Sequence, residues 1–125
     1  MKRLGLLAVV CLALASCGSE STEVADVGEL QRCLESAGLF TDSGPGVDLV
    51  AETASQGAVQ VKIDTNEIQI AAGAHSEEAE AIERAYGAFE GGNVERRGTV
   101  VIAATYEASD EEMDPIDACL EKQGI

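Results

Sequence analysis

Aromatic and basic side chains are scarce in this 125-residue chain. It has no tryptophan and only four aromatic residues, Phe40, Tyr86, Phe89 and Tyr106, which weakens any interpretation as a surface that stacks sugars or nucleobases. Eight lysines and arginines stand against 23 acidic residues, so we exclude nucleic-acid binding driven by counterion release. A single histidine also makes a zinc site a poor expectation.

The common catalytic signatures are absent as well. The sequence has no glycine-rich phosphate loop, HExxH, CxxC or GxSxG motif. The one histidine, His75, needs a nucleophile and an orienting carboxylate to act as a general base, but Ser76, Glu77 and Glu78 are only its sequence neighbours. We therefore interpret His75 as a solvated loop residue and predict no catalytic residue.

An acidic run near the carboxyl terminus offers oxygen atoms that could bind Ca²⁺ or Mg²⁺. It lacks both the ligand spacing and the terminal bidentate glutamate of an EF-hand loop. We favour a solvated acidic turn before a helix, and predict neither a metal site nor a cofactor. The weak metal candidates are Asp110, Glu111, Glu112 and Asp114.

The amino-terminal residues have the three parts of an export signal. Met1-Lys2-Arg3 carries positive charge, residues 4–15 form a short apolar run, and small residues follow at Ala15 and Ser16. A membrane-spanning helix needs roughly 18 to 20 apolar residues, so a permanent transmembrane anchor is disfavoured. We predict that residues 1–16 are a signal peptide that is removed.

Leu14-Ala15-Ser16-Cys17 resembles the lipobox of bacterial lipoproteins, in which a leucine, two small residues and a cysteine mark the cleavage site. The resemblance covers about the first 17 residues and identifies no family for the remainder. It implies lipidation of Cys17, with palmitate-type acyl chains, and cleavage before that residue. The alternative is an ordinary secreted protein with a cysteine at its cleavage site.

A lipidated Cys17 implies attachment to the outer face of the bacterial cytoplasmic membrane. Gly18 and Ser19 resemble the residues that follow the cysteine in lipoproteins of the outer membrane, which is the destination if the organism has two membranes. Residues 17–23 then form the lipidated cysteine and a short tether. Residues 24–125 are long enough for one acidic domain and no more.

Two cysteines remain once the amino-terminal segment is accounted for. Cys11 leaves with the signal peptide and Cys17 carries the lipid. Thiols outside the cytoplasm can be oxidised, so we predict a disulfide between Cys33 and Cys119. Two unpaired buried thiols are the alternative.

Charge is the second strong feature of the exported part. It keeps all 23 acidic residues and six of the eight basic ones, a formal charge of −17. An anionic membrane surface repels such a domain, whereas a basic protein or ligand is attracted to it. The alternative is that the acidity serves only solubility.

Apolar spacing predicts the first part of the fold. Residues 24–37 have helical spacing, and Gly38 is placed to end the helix. Residues 41–46 are rich in turn formers, and residues 47–52 alternate as in a strand. Residues 59–63 and 68–70 also alternate, and a turn at Thr65-Asn66 predicts a hairpin with Ile63 opposite Ile68.

The second part begins with a helix capped by Ser76, with one apolar face, that ends at Gly91-Gly92. The apolar run at residues 99–104 predicts a buried strand. Asp114-Pro115 is typical of the start of a helix, and the short helix predicted there carries Cys119.

Together these elements follow the order α-β-β-β-α-β-α, an α/β (α+β) fold. The helix at 76–90 connects a strand near residue 70 to one near residue 100, which predicts a right-handed crossover and two parallel strands. We therefore expect a two-layer sandwich, a mixed four-stranded sheet with helices on one face. A Cys33–Cys119 bridge makes the first and last helices neighbours.

The sequence leaves three functional hypotheses. We favour a non-enzymatic binding or adaptor protein held at the membrane by lipid, because a catalytic set is missing. A small cell-envelope hydrolase that uses carboxylates is the second hypothesis, and an acidic surface that binds cations is the third. Neither the particular partner nor the oligomeric state follows from the sequence.

Overall fold

The computed structural model describes residues 24–43, 50–90 and 93–125, without the side chains of residues 89 and 90. These ranges contain three α-helices, five strands and a short 3₁₀ turn. The helices are α1 (Val27–Ser36), α2 (Ser76–Glu90) and α3 (Asp110–Glu121); the strands are β1 (Phe40–Asp42), β2 (Ala58–Ile63), β3 (Asn66–Ala72), β4 (Val94–Arg97) and β5 (Val100–Ala104); the 3₁₀ turn is Ala51–Thr53.

The five strands form one sheet in the order β1-β2-β3-β5-β4, and every neighbouring pair is antiparallel. The α+β class is therefore confirmed. The prediction of a mixed sheet with four strands is wrong in both respects. Two short edge strands, β1 and β4, were not predicted, and the described part of one predicted strand, residues 50–52, is not extended.

Strand β4 explains why β3 and β5 are antiparallel rather than parallel. Helix α2 leads into β4, and the chain then turns back at Gly98, which has a φ of +59°. Strand β5 therefore enters the sheet between β3 and β4 and runs antiparallel to both. The sequence of β4, Val94-Glu95-Arg96-Arg97, is too polar to show the strand pattern.

The predicted strand at residues 47–52 is the other difference. Residues 47–49 lie outside the described residues, and Ala51–Thr53 form the 3₁₀ turn. Strand β1 instead pairs with β2 at the sheet edge, in a segment that begins just before the predicted turn cluster. Three residues are too few for an alternating pattern to stand out.

The β2–β3 hairpin is present, but its turn lies one residue earlier than predicted. Asp64 and Thr65 form the turn, and Asp64 adopts a left-handed φ of 53°. Ile68 consequently pairs with Val61, two positions away from the predicted partner Ile63. A shift of two residues keeps the apolar side chains on the same face, because side chains alternate with a period of two.

Helices cover both faces of the sheet, which corrects the prediction of helices on one face. Helices α1 and α3 pack on one face, where the larger apolar cluster includes Leu30, Leu34, Val59, Val61, Ile68, Ile70, Val100, Ile102, Ile116 and Leu120. Helix α2 packs on the opposite face, where Ala79, Ile82 and Tyr86 join Val50, Ala54, Ala71, Val101 and Ala103. The architecture therefore has three layers.

Local hydrogen bonds set the helix ends. Asp26 caps α1 by accepting from the Glu29 N–H, and Gly38 with a φ of +89° follows its last turn. Helix α3 begins at Asp110, five residues before the predicted first helical residue Pro115, since Ser109 and Glu112 form a reciprocal capping box. Pro115 therefore lies inside α3 rather than at its start.

The predicted disulfide joins Cys33 of α1 to Cys119 of α3, with a Cα–Cα distance of 5.9 Å. A second link lies nearby, where the Gln123 side chain bonds the backbone N–H and carbonyl of Asp26 at 2.8 and 2.9 Å. Asp26, at the start of α1, thus contacts Gln123, just after the end of α3. Further along α1, Cys33 is bonded to Cys119, which comes earlier in α3. The two helices therefore run in opposite directions.

Candidate functional site

An open cleft of about 520 Å³ lies between the β2–β3 turn and the amino-terminal end of α3. We name it the acidic cleft. Its carboxylates are Asp64, Glu107, Glu111 and Glu112, and no lysine or arginine of the described residues lines it. The other residues that line it are Leu39, Ile63, Thr65, Asn66, Tyr106, Ser109 and Pro115.

Asn66 fixes one side of the acidic cleft. This residue is only 5% exposed, and its side chain both accepts from the Tyr106 N–H at 3.0 Å and donates to the Tyr106 carbonyl at 3.1 Å. The Thr105 N–H also donates to the Glu67 carbonyl at 3.0 Å. These bonds hold the Tyr106 backbone beside the hairpin, while its side chain stays 60% exposed to solvent.

The capping box of α3 fixes the opposite side. The Ser109 N–H donates to Glu112 Oε1 at 2.9 Å, and the Glu112 N–H donates to Ser109 Oγ at 3.2 Å. Glu107 and Glu111 are exposed beside it. Glu112 therefore has a structural role, whereas Glu107, Glu111 and the exposed Asp64 are available to a ligand.

The acidic cleft lies at the far end of α3 from Val24, the first described residue. Its lining includes Ser109 and Pro115 near the start of α3, whereas Gln123, just beyond the end of α3, bonds Asp26. Twelve helical residues separate the two ends by about 18 Å.

Two of the four weak metal candidates contribute to this cleft. Glu111 and Glu112 line it, while Asp110 and Asp114 are exposed elsewhere on the first turns of α3. Within the described ranges, no group of three or more histidine, cysteine or acidic side chains is arranged to hold a metal ion.

The sequence did not indicate that Asp64, Tyr106 and Glu107 belong to one site. The β2–β3 hairpin was predicted, so an exposed acidic turn residue could have been expected. Its position beside residues 106–112 depends on the pairing of β3 with β5, in which Ile68 is opposite Ala104. No local signal indicates that pairing.

A second cavity of about 430 Å³ adjoins the acidic cleft and shares Glu107 with it. Its apolar lining includes Ile102, Ala104 and Met113, and Glu95 lies at its rim. Glu95 is bonded to Arg97 at 2.8 Å. The two cavities lie on either side of the segment that leads into α3.

His75 has a structural role at the start of α2. It is exposed, and its Nδ1 accepts the Glu78 N–H at 3.4 Å. The cap is therefore His75 rather than the predicted Ser76, one residue further on. The interpretation of His75 as a solvated loop residue is confirmed, since it is exposed in the bend before α2, and its role as a cap is an addition.

Glu78 links α2 to the segment before β2. Its carboxylate accepts from Ser55 Oγ at 2.6 Å, the Ser55 N–H at 2.8 Å and the Ala74 N–H at 2.7 Å. The hydrogen bond from the Ser55 hydroxyl is the main reason that the pKa of Glu78 is lowered, followed by the two backbone bonds.

Adjacent arginines of β4 bond helices on opposite faces of the sheet. Arg96 pairs with Glu83 of α2 at 3.2 Å, and Arg97 pairs with Asp117 of α3 at 2.6 Å. The hydrogen bond to Glu95 is the main cause of the raised pKa of Arg97, and burial opposes it. These contacts give both Arg96 and Arg97 a structural role.

The predicted lipidation site Cys17, and Cys11 before it, lie outside the described residues. Among the helices described, none has the length and apolar character needed to cross a membrane. Comparison with known protein families, curated proteins and solved structures finds no match to this chain. Function is therefore inferred from the sequence and the acidic cleft.

Proposed function

We propose that this protein is a lipid-anchored, extracytoplasmic binding protein whose acidic cleft binds a partner segment or ligand of basic character. The lipobox resemblance supports the location. The observation that carries the ligand class is a cleft in which three carboxylates are available to a ligand and which no lysine or arginine of the described ranges lines. The formal charge of −17 after signal removal adds long-range attraction for a cation.

The lining suits a lysine or arginine side chain in particular. Exposed carboxylates accept charge-assisted hydrogen bonds from an ammonium or guanidinium group. The alkyl stem of such a side chain packs against apolar surface, which Leu39, Ile63 and Pro115 supply. The exposed ring of Tyr106 adds a cation–π partner.

The position of the cleft fits an anchored receptor. Residues 18–23 reach at most about 20 Å, so a lipid on Cys17 keeps the domain close to the bilayer. The acidic cleft lies at the end of α3 that is remote from Val24. A ligand in solution can therefore reach it without competing with the membrane surface.

Binding is tested by calorimetry of the isolated protein with a short acetylated Lys-Arg peptide, with a Glu-Asp peptide of equal length as control. We expect the basic peptide alone to bind, with affinity that falls as salt rises. Calcium chloride is the third probe. Tight Ca²⁺ binding without peptide binding, or peptide binding insensitive to salt, contradicts the proposal.

A matched pair of variants locates the site. Glu111→Gln removes a cleft carboxylate at the second residue of α3. Glu77→Gln removes a carboxylate at the second residue of α2. Loss of one exposed charge weakens peptide binding by about two- to threefold at moderate salt. We expect this for Glu111→Gln, and a larger loss when Glu107→Gln is added. Equal effects of Glu111→Gln and Glu77→Gln place the peptide elsewhere.

The anchor is tested separately by labelling cells with palmitate. We expect label on the wild-type protein, loss of label in Cys17→Ser, and retention in Cys11→Ser. Label that persists in Cys17→Ser contradicts the anchor but leaves the cleft proposal intact. The two parts of the proposed function therefore fail independently.

A further inference from the structure

The disulfide lies at a surface groove. A groove of about 310 Å³ is lined by both cysteines and by Glu29, Arg32, Ser36 and Lys122. Cys33 is half-buried at its edge, whereas Cys119 is only 3% exposed. Cys33 is therefore the more exposed residue of the bridge, although both cysteines line the groove.

Charge at this groove differs from that at the acidic cleft. Arg32 and Lys122 both line the groove, and Glu29 is the single carboxylate that the described part of the chain contributes to it. Two of the six basic residues in the described ranges thus lie beside the disulfide. Cationic neighbours attract an incoming thiolate, and they stabilise the thiolate that leaves.

We propose that the Cys33–Cys119 bridge is a thiol-exchange site that opens in the folded protein, by attack of a dithiol reductant on Cys33. The disulfide lies at the other end of α3 from the acidic cleft, so this proposal does not depend on the proposed function. The partner is a dithiol, either a small molecule or a protein, with anionic character near its reactive sulfur.

The exchange proceeds in two balanced steps. A thiolate of the reductant attacks Cys33 Sγ, the sulfur–sulfur bond breaks, and the electron pair leaves with Cys119 Sγ as a thiolate. The second thiol of the reductant, once deprotonated, attacks the reductant sulfur of the mixed disulfide and releases the Cys33 thiolate. The dithiol becomes a disulfide, and its two protons end on the cysteines or in solvent.

Opening the bridge removes the covalent link between α1 and α3. The Gln123–Asp26 hydrogen bonds and the packing of Leu30 and Leu34 remain. The domain therefore stays folded while α1, the helix nearest the proposed tether, loosens. Exchange in the native state is possible only because reduction does not require the sheet to open.

The test measures the rate of disulfide opening in the protein as isolated, using anionic 2-mercaptoethanesulfonate and cationic cysteamine. Reaction through the native state gives a rate that is nearly constant between 0 and 1 M urea. Reaction through global unfolding rises by about tenfold over that range. Mass spectrometry of the alkylated mixture identifies which cysteine carries the reagent.

We expect a urea-independent rate and an adduct on Cys33. We also expect Arg32→Gln with Lys122→Gln to lower the anionic-to-cationic rate ratio by about fivefold, with Arg84→Gln, an exposed substitution on α2, as the unchanged control. A rate that rises steeply with urea, an adduct on Cys119 or an unchanged ratio overturns the proposal. If the double variant does not fold, the wild-type urea dependence and adduct position decide.

Discussion

Glu78 and Arg97 each hold together segments that are distant in sequence. Glu78 reaches back 23 positions to Ser55, and Arg97 reaches from the edge strand β4 to Asp117 of α3. Both interactions lie near the surface, where single ion pairs contribute little and several short bonds to one group contribute more.

Glu78→Gln is expected to lower the free energy of unfolding by about 1 kcal/mol at pH 7, because an amide cannot accept all three hydrogen bonds. The pKa of Glu78 is below its ordinary value of 4.5 when folded, so its contribution is complete above that value. It is lost as pH falls through the lower folded pKa.

Urea unfolding between pH 7 and 3 checks this expectation. The difference between wild type and Glu78→Gln should shrink towards pH 3, and Glu77→Gln, one residue earlier and exposed, should show neither effect. A difference that grows on acidification contradicts the hydrogen-bond assignment.

Arg97→Gln is expected to destabilise the fold by about 1 kcal/mol. It removes the half-buried contacts to Glu95 and Asp117, at 2.8 and 2.6 Å, and leaves Asp117 without its cation. The midpoint of urea unfolding measures the effect. Arg84→Gln, which changes an exposed arginine of α2, should unfold like wild type; equal losses in both variants argue for a general charge effect.

Single residues were predictable where chemistry leaves few choices. The cysteine count, with the expectation of an exported protein, predicted the pairing of Cys33 with Cys119 that the structure shows. The Asn66 bonds to Tyr106 and the Gln123 bonds to Asp26 span 40 and 97 positions. Many polar side chains could make such bonds, so only the fold identifies the pairs.

The periodicity of the apolar residues located the helices and the central hairpin. It located the ends of these elements less accurately. The apolar face of α1 and that of α2 carry the buried Leu30, Leu34, Ile82 and Tyr86, as the spacing indicated. The start of α3 was misplaced because two capping signals compete there. The capping box at Ser109 satisfies two backbone positions reciprocally, which Asp114 followed by a proline cannot do.

The β2–β3 turn offers a prediction of its own. Asp64 has a φ of 53°, which a glycine adopts without strain. Asp64→Gly is therefore expected to raise the free energy of unfolding by about 0.5 kcal/mol. Thermal or urea unfolding checks it against Asp64→Asn, which removes the same charge and keeps Cβ. A gain no larger than that of Asp64→Asn assigns the effect to charge rather than to backbone strain.

For the whole molecule, the sequence indicated the class but not the number of layers. Strand β5 is apolar on both faces, with Ile102 packing against one cluster and Val101 and Ala103 against the other. A continuous apolar run of this kind is typical of a strand covered on both sides. In β2 the polar residues Gln60 and Lys62 alternate with apolar ones, a pattern typical of a sheet covered on one side. Lys62 is exposed, whereas Gln60 is only 6% exposed.

Stability of the whole molecule should depend strongly on the disulfide. The bridge closes a loop of 86 positions, and the loop-entropy treatment gives about 4.5 kcal/mol for that length. Replacing both Cys33 and Cys119 by serine is expected to lower the free energy of unfolding by about this amount or more, since serine also places two hydroxyls where the sulfurs packed. Wild type under strong reductant is the comparison, and a loss below about 1 kcal/mol in both contradicts the expectation.

The antiparallel pairing of α1 and α3 also determines how the protein would respond to mechanical force. With the chain held before Val24 and a ligand pulled from the acidic cleft, tension enters α1, crosses the sulfur–sulfur bond and continues along α3 to its first turn. The sheet shares that load, because the β2–β3 turn and the segment after β5 also line the cleft. Pulling on a molecule held there would therefore act on two helices and one covalent bond through Glu111, and on the sheet through Asp64 and Glu107.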